Sequence, residues 1–196
     1  PSMLSQRRPP PVYRSARTGT AWFGVLGSLL LGACQAAPRP ALQTVARVDI
    51  ARFMGAWYVI ASIPTFIERG AHNAVESYTQ DEHGRVLTTF RFNADRFDGP
   101  LKVHHPVGYV RREGDGALWG MQFIWPIRAD YRIVYLDADY TQTIIGRERR
   151  DYAWIMARTP SIPDADFARL VEVLRTQGYD LSRLKLVPQQ PLNERR

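Results

Sequence analysis

The sequence predicts an all-β domain: an eight-stranded antiparallel up-and-down β-barrel with one C-terminal α-helix packed outside it. Three observations support this fold class. Short strand-like runs follow one another from residue 56, separated by breaks of hairpin length. Apolar and polar residues alternate within these runs, and a single amphipathic helical pattern follows the last of them. Closing eight strands into a barrel removes exposed edges and leaves room for one small ligand.

Turn-forming residues set the bounds of the predicted strands. Glu82-His83-Gly84, Asp98-Gly99-Pro100 and Gly114-Asp115-Gly116 are typical of tight connections. Alternation is clearest in the third run, where inward and outward residues exchange at every position. The predicted strands cover 56–63, 74–81, 86–94, 101–112, 117–125, 131–138, 142–148 and 152–158, and a short final strand covers 184–187.

One helix is predicted after the strands. Ser161 is the expected N-cap, Pro163 and Asp164 suit the first turn, and Gly178 ends the helix. Its apolar residues fall on one stripe, which we expect to pack against the outside of the barrel: Phe167, Leu170, Val171 and Leu174.

The beginning of the chain has the pattern of a secretory signal. Residues 1–20 contain four arginines and no acidic residue, and residues 21–33 are uncharged and mostly apolar. The apolar run is shorter than the roughly 20 residues that a membrane-spanning helix needs. Cys34 follows it directly and is the only cysteine, so it has no disulfide partner within the chain.

The sequence therefore divides into four parts. Residues 1–33 are the predicted signal peptide, 34–47 a flexible tether, 48–190 the barrel domain and 191–196 a polar tail. Four of the 26 basic residues precede Cys34, which leaves 22 basic against 19 acidic residues after it. Because this net charge of +3 is small and the basic residues are scattered along the chain, we expect no nucleic-acid partner.

Three motifs in this order resemble those of the lipocalin family. Gly55-Ala56-Trp57 opens the first strand, Asp139-Tyr140 follows the sixth, and Arg158 ends the eighth. The local sequences of residues 66–70 and 151–160 are similar to those of the bacterial lipocalin and apolipoprotein D branch. The resemblance implies that Gly55, Trp57, Asp139, Tyr140 and Arg158 are structural, with Arg158 stacked on Trp57 at the closed end of the barrel.

Residues 31–34 resemble the lipobox of bacterial lipoproteins, in which the cysteine is acylated. Cys34 is the expected lipidation site, and palmitate is among the expected acyl groups. Gln35 follows it, where an aspartate would favour retention in the inner membrane. The resemblance implies a lipid-anchored protein of the bacterial outer membrane, on its periplasmic side.

The expected ligand-binding residues are those that strand alternation points inward when the chain is aligned to the family pattern. They form an apolar, aromatic cup that suits an acyl chain. A slip of one residue would exchange the two faces of a strand. The candidates are Val59, Tyr78, Phe90, Phe92, Trp119, Met121, Phe123, Tyr131, Ile133, Tyr135, Trp154 and Met156.

The expected function is the storage or transport of fatty acids, lysophospholipids or similar small apolar ligands for envelope maintenance. Two alternatives stay open: an enzyme acting on a lipid inside the same barrel, and an interaction module with a solidly filled barrel. We expect no metal site, since the adjacent His104 and His105 point to opposite faces of a strand. We expect no catalytic residue or cofactor, since the sequence has no Gly-x-Ser-x-Gly elbow and no Gly-rich phosphate loop. The oligomeric state stays open, a homodimer included.

Overall fold

The computed structural model describes residues 39–191. Its strands form one antiparallel sheet that closes on itself, because β1 pairs with β2 on one side and with β9 on the other. β4 and β5 both pair with β3 and occupy one position, so the barrel has eight positions, as predicted. The strands are β1 Gly55–Ile63, β2 Ala71–Gln80, β3 Arg85–Ala94, β4 Leu101–His104, β5 Val107–Val110, β6 Leu118–Ile124, β7 Ile127–Leu136, β8 Gln142–Gly146, β9 Ala153–Ala157 and β10 Lys185–Leu186.

The predicted fourth strand, 101–112, is wrong as a single element. It is broken at His105-Pro106, because proline has no backbone N–H to donate to a ladder. β4 pairs with the second half of β3 and β5 with its first half. The carbonyl of Pro106 accepts a hydrogen bond from the Thr88 N–H at 3.0 Å, which carries the sheet across the break.

The inward orientation predicted for Tyr135 is also wrong. The pairing of β7 with β8 shifts between Ile133 and Tyr135, so Val134 is an extra residue in the strand. Val134 and Tyr135 therefore both lie on the outer face, against the helix layer, and Leu136 returns to the interior. A bulge of one residue exchanges the faces of everything after it.

Helix α2 (Asp164–Thr176) packs outside the barrel and buries Leu170 and Leu174. The predicted Ser161 cap is wrong, because the N-cap is Pro163 and the helix has no side-chain cap. Gly178 ends the helix as predicted: its φ is +81°, and the N–H groups of Gly178 and Tyr179 return to the carbonyls of Arg175 and Leu174. No helix within residues 39–191 has the length and hydropathy that crossing a membrane requires.

The segment before the barrel lies against it, which corrects the predicted tether for residues 40–47. Leu42 is 4% exposed, and its backbone N–H donates to the Glu148 carboxylate. Arg150 donates to the Pro40 carbonyl at 2.6 Å, and the Val45 N–H donates to the Ile133 carbonyl at 3.1 Å. The predicted signal peptide, Cys34 and the end of the polar tail lie outside the described residues.

The C-terminal segment completes the wall between β1 and β2. β1 pairs with β2 only as far as Tyr58, and further along the strand β10 takes the free edge at Ala61 and Ser62. The Gln189 amide then donates to the carbonyls of Val59 at 2.7 Å and Ala74 at 3.0 Å. A side chain thus replaces ladder hydrogen bonds where the two strands separate.

The two ends of the barrel differ. The short helix α1 (Ile50–Phe53) lies across the closed end, and its Phe53 is fully buried. We call the other end, formed by the connections 64–70, 95–100, 125–126 and 147–152, the open end.

Candidate functional site: a ligand cavity at the open end

The closed end is sealed around Arg158 and Trp57. The Arg158 guanidinium carbon lies 3.8 Å from the Trp57 ring centroid, and its N–H groups donate to the carbonyls of Arg52, Phe53, Met54, Ala56 and Tyr140 at 2.8–3.2 Å. Gly55 is required here, because its φ is +97° and a Cβ would lie 3.2 Å from the Arg158 Nη1 atom. This arrangement fixes the floor of the barrel and leaves no polar group of Arg158 for a ligand.

The turn after β7 supports the same floor. The Asp49 N–H donates to the Tyr140 hydroxyl at 2.8 Å, and the Arg52 guanidinium carbon lies 4.0 Å from the Tyr140 ring centroid. Asp139 is exposed. The carboxylate that caps this turn belongs to Asp137, which accepts the backbone N–H groups of residues 141 and 142 at 2.7 and 2.9 Å.

Aromatic side chains fill the lower half of the barrel. Phe53, Trp57, Tyr78 and Trp119 are fully buried, with neighbouring ring centroids 5.0–5.9 Å apart. The Trp119 indole N–H donates to the Gly116 carbonyl at 2.6 Å, so its polar atom has a partner. This half is solid core.

Above this core lies a cavity of about 270 Å³ that extends to the open end. Side chains from the strands form its wall, and residues of the connections 64–70 and 147–152 bound its mouth. The lining residues are Thr65, Phe66, Ile67, Glu68, Glu76, Thr88, Phe90, Pro106, Met121, Phe123, Ile124, Ile127, Ala129, Asp130, Tyr131, Arg147, Tyr152 and Trp154.

The structure divides the twelve sequence-predicted ligand residues into three groups. Five line the cavity: Phe90, Met121, Phe123, Tyr131 and Trp154. Six lie in the barrel core without lining it: Val59, Tyr78, Phe92, Trp119, Ile133 and Met156. Tyr135 faces the helix outside, as described above.

Two carboxylates on the cavity wall, the buried Glu68 and the partly buried Glu76, are absent from the sequence-predicted ligand residues. Glu76 lies on β2 between Ala74 and Tyr78, whose side chains are in the barrel core, so strand alternation itself points Glu76 inward. Glu68 belongs to the loop after β1, where no periodicity applies, and it is 6% exposed. Selecting inward positions by hydrophobicity missed Glu76, whereas the place of Glu68 in the loop after the first strand already indicates a position near the barrel mouth.

Hydrogen-bond donors hold each carboxylate. Glu68 accepts the Thr65 backbone N–H at 2.8 Å and the Trp154 indole N–H at 2.9 and 3.1 Å. Glu76 accepts the Tyr78 hydroxyl, which lies 2.8 Å from the Tyr131 hydroxyl. Neither carboxylate forms a salt bridge with any residue between 39 and 191.

Burial dominates the electrostatics of these groups. It raises the pKa of Glu76 to about 7, with the negative charge of Glu68 adding to the effect and the Tyr78 hydrogen bond opposing it. Burial also raises the pKa of Glu68, against hydrogen bonds from Thr65 and Trp154. The pKa values of Tyr78 and Tyr131 are raised well above their usual value, first by burial and then by the charge of Glu76.

Arg147 is the one basic residue among those lining the cavity. Its Nη1 atom lies 3.5 Å from the Asp151 Oδ2 atom, and its guanidinium carbon lies 5.1 Å from the Tyr152 ring centroid. The buried Nε atom of Arg147 has no hydrogen-bond partner within the described chain. The positive charge of Arg147 at the open end is therefore shared with the Asp151 carboxylate.

The open end also exposes large apolar side chains. Trp125 is 83% exposed, and Phe66, Ile124 and Ile127 are 69–78% exposed. Arg69 and Arg128 are exposed beside them. This apolar rim surrounds the entrance to the cavity.

The histidines are arranged as alternation predicts. His104 stacks on Phe90 and Phe92 with ring centroids 6.2 and 6.1 Å apart, whereas His105 lies 3.4 Å from the Thr89 hydroxyl on the exposed side. No group of three or more His, Cys, Asp or Glu residues in the described part of the chain is arranged to hold a metal ion.

Comparison with known proteins identifies relatives along most of the chain. Residues 48–189 match the model of the lipocalin-like domain family. The outer membrane lipoprotein Blc of Escherichia coli K12 is 30% identical over 164 residues, covering 83% of this chain and 92% of that protein. Temperature-induced lipocalin-1 of Arabidopsis thaliana is 31% identical over 160 residues, covering 76% and 83%. Apolipoprotein D of Rattus norvegicus is 26% identical over 167 residues, covering 80% and 82%.

Solved structures agree on the fold. Insecticyanin from the tobacco hornworm Manduca sexta superposes with a TM-score of 0.63 at 15% identity, covering 80% of this chain and 88% of that one. Lobster apocrustacyanin A1 gives a TM-score of 0.58 at 14% identity, covering 79% and 94%. The closed barrel, the sealed floor and the match over residues 48–189 together show that this chain belongs to the lipocalin family, in the branch that includes bacterial Blc and apolipoprotein D.

Proposed function

We propose that this chain is a membrane-anchored lipid-binding protein that holds one small amphiphile, such as a fatty acid or a lysophospholipid, for envelope maintenance. The observation that carries the proposal is the cavity itself: it opens at one end and is walled by Phe90, Met121, Phe123, Tyr131 and Trp154. Burying an alkyl chain against such a wall contributes about 0.8 kcal/mol per methylene.

The size of the cavity favours a slender ligand. At about 270 Å³ it lies just below the range of about 300–1,000 Å³ that is usual for small-molecule pockets. The aromatic core around Trp57 and Trp119 fills the space beneath, so the ligand cannot reach the floor. A single alkyl chain fits this shape better than a large ring system.

The open end supports the proposed membrane association. The apolar rim around Trp125 exposes the kind of side chain that inserts at a membrane interface, and Arg69 and Arg128 complement anionic lipid headgroups. Pro40 is held at the same end by Arg150, in the connection between β8 and β9. Cys34 precedes Pro40 by six residues, a chain that spans at most about 20 Å.

We extend this proposal to the cell compartment. The Blc relatives are outer-membrane lipoproteins by name. Acylation of Cys34 and location on the periplasmic side of the outer membrane are part of the proposal, and Gln35 after the cysteine supports them. A barrel held in this way stays beside the bilayer that supplies its ligand.

Substitution within the cavity tests the binding function. Met121→Arg places a charge on the buried wall, and we expect it to abolish binding of a fluorescent fatty acid measured by titration. Leu186→Arg, on the exposed side of β10, is the matched control and should bind normally. Phe123→Arg, at the half-exposed entrance, gives a second cavity variant that tolerates the charge in the fold.

Unchanged binding in both cavity variants would show that the ligand does not enter the barrel. Turnover of the bound lipid by the wild-type protein would instead make the chain an enzyme. Gel filtration of the same samples reports the oligomeric state, including a homodimer.

A further inference from the structure

Two carboxylates share this cavity wall without a partner of opposite charge. Glu76 and Glu68 both line the cavity, and Glu68 raises the pKa of Glu76 by its negative charge. The nearest elements provide only neutral donors, namely the Tyr78 and Tyr131 hydroxyls, the Thr65 N–H and the Trp154 indole. Burying ionisable groups in apolar surroundings without a counter-charge costs stability and is often retained for binding.

Arg147, the one basic residue lining the cavity, forms no ion pair with Glu76 or Glu68. Arg147 begins the connection at the open end and faces Asp151 and Tyr152. Glu76 pairs with Trp57 across β1 and β2, near the floor of the barrel. Glu76 is therefore the charged group at the inner end of the cavity, whereas Glu68 and the ion pair of Arg147 with Asp151 lie towards its mouth.

Aromatic side chains at the inner end of the cavity also favour a positive charge. Tyr131 and Phe90 line the cavity beside Glu76, and aromatic faces attract cations when water is excluded. A protonated amine would find a carboxylate and aromatic faces together there. A fatty-acid carboxylate in the same place would meet the Glu76 carboxylate, a group of its own sign, so we expect it to stay nearer the mouth.

We propose that Glu76, supported by Glu68, is a subsite for a protonated amine, and that the barrel prefers apolar molecules with an amino group to fatty acids of equal chain length. This rests on the proposed function, since it assumes that the cavity takes up an alkyl chain. The amine enters first and the chain extends towards the apolar rim. The two carboxylates thus favour a ligand with an amino group, and the apolar wall binds its alkyl chain.

Three probes of equal chain length test the subsite: decylamine, decanol and decanoate. Calorimetric titration of the full chain at pH 8 should show decylamine binding about tenfold or more tightly than decanol, and decanoate no more tightly than decanol. In Glu76→Gln the advantage of the amine over the alcohol should disappear, while decanol binds as before. Glu68→Gln should reduce the same advantage by less, and Glu82→Gln, on an exposed turn, is the matched control.

The outcomes separate the two proposals. If decanol binds but decylamine shows no advantage, or if Glu76→Gln keeps that advantage, the amine subsite is wrong and the lipid-binding function stands. If none of the three probes binds, the cavity does not take up alkyl chains and both proposals are wrong. Decanol binding also reports that each variant is folded.

Discussion

The indole N–H of Trp154 lies 2.9 and 3.1 Å from the two carboxylate oxygens of Glu68, and this contact joins the loop after β1 to the start of β9. The same carboxylate accepts the Thr65 backbone N–H at 2.8 Å. Phe66 in this loop is largely exposed and contributes little packing. A buried carboxylate therefore fixes the segment that forms one wall of the entrance.

Trp154→Phe should loosen this loop, because it keeps an aromatic ring and removes the N–H donor. We expect the free energy of unfolding at pH 8 to fall by about 1–3 kcal/mol, the cost of a lost hydrogen bond to a buried charged group. At pH 5, where Glu68 is more fully protonated, the deficit should be smaller. Urea unfolding at both values measures it, with the exposed Trp125→Phe as control; equal deficits at both pH values would contradict the role given to the Glu68 charge.

Glu76 should make the ligand-free protein less stable as the pH rises. Its pKa is about 7 in the folded chain against 4.5 for the unfolded one, so the folded state holds the extra proton between these values. The free energy of unfolding should fall from pH 5 to pH 8.5, by about 3 kcal/mol in full, at about 1.4 kcal/mol per pKa unit. The groups facing Glu76 are Tyr78, Tyr131 and Glu68, and the raised pKa of Glu68 acts in the same direction.

Thermal unfolding across this pH range tests the effect. Glu76→Gln should flatten most of the slope and raise the melting temperature at pH 8, whereas Glu82→Gln should keep the wild-type slope. A slope that survives in Glu76→Gln at full size would assign the pH dependence to other groups.

Arg158→Lys should destabilise the closed end without changing ligand affinity. A lysine ammonium cannot stack on Trp57 as a guanidinium does, and it cannot reach the carbonyls of both α1 and Tyr140 at once. We expect a loss of about 2–3 kcal/mol in the free energy of unfolding. Arg91→Lys on the exposed face of β3 is the matched control; a change in the dissociation constant of the folded Arg158→Lys protein would show that the floor contributes to binding.

Cys34→Ser should release the protein from membranes and leave its ligand binding intact. Acylation requires the thiol, and the cavity lies within residues 65–154. Membrane fractionation, with Met121→Arg as a variant that stays anchored, separates attachment from binding. Retention of Cys34→Ser in the membrane fraction would exclude the cysteine as the anchor.

The sequence predicts a strand well where regular alternation of apolar and polar residues is not interrupted by a proline or a bulge. In β3, uninterrupted alternation from Val86 to Phe92 puts Phe90 on the cavity wall, and turn residues on either side define the strand. Prediction failed where a second effect intervened. Pro106 interrupts the fourth strand, and the extra residue Val134 turns Tyr135 outward, yet neither change alters the local hydrophobic pattern.

The candidate site was predictable in its apolar part and in the position of Glu68 near the mouth. Glu76 has the correct phase on β2, but a carboxylate is normally assigned to solvent, and only the three-dimensional structure shows the tyrosine that holds it. Glu68 reaches the cavity because the loop after β1 folds back over the entrance. Residues 40–47 have the composition of a linker, and their contacts with Glu148 and Arg150 come from elements about a hundred residues away in sequence.

The late completion of both edges of β1 limits when the barrel can close during synthesis. β1 is the first strand to be synthesised, yet its two edges are completed by β9, β10 and the Gln189 amide, which are among the last segments to follow. The cylinder therefore cannot close on a partly synthesised chain. Contacts so distant in sequence form slowly, so the apolar edges of β1 stay without their closing partners until the segments from β9 to Gln189 are present.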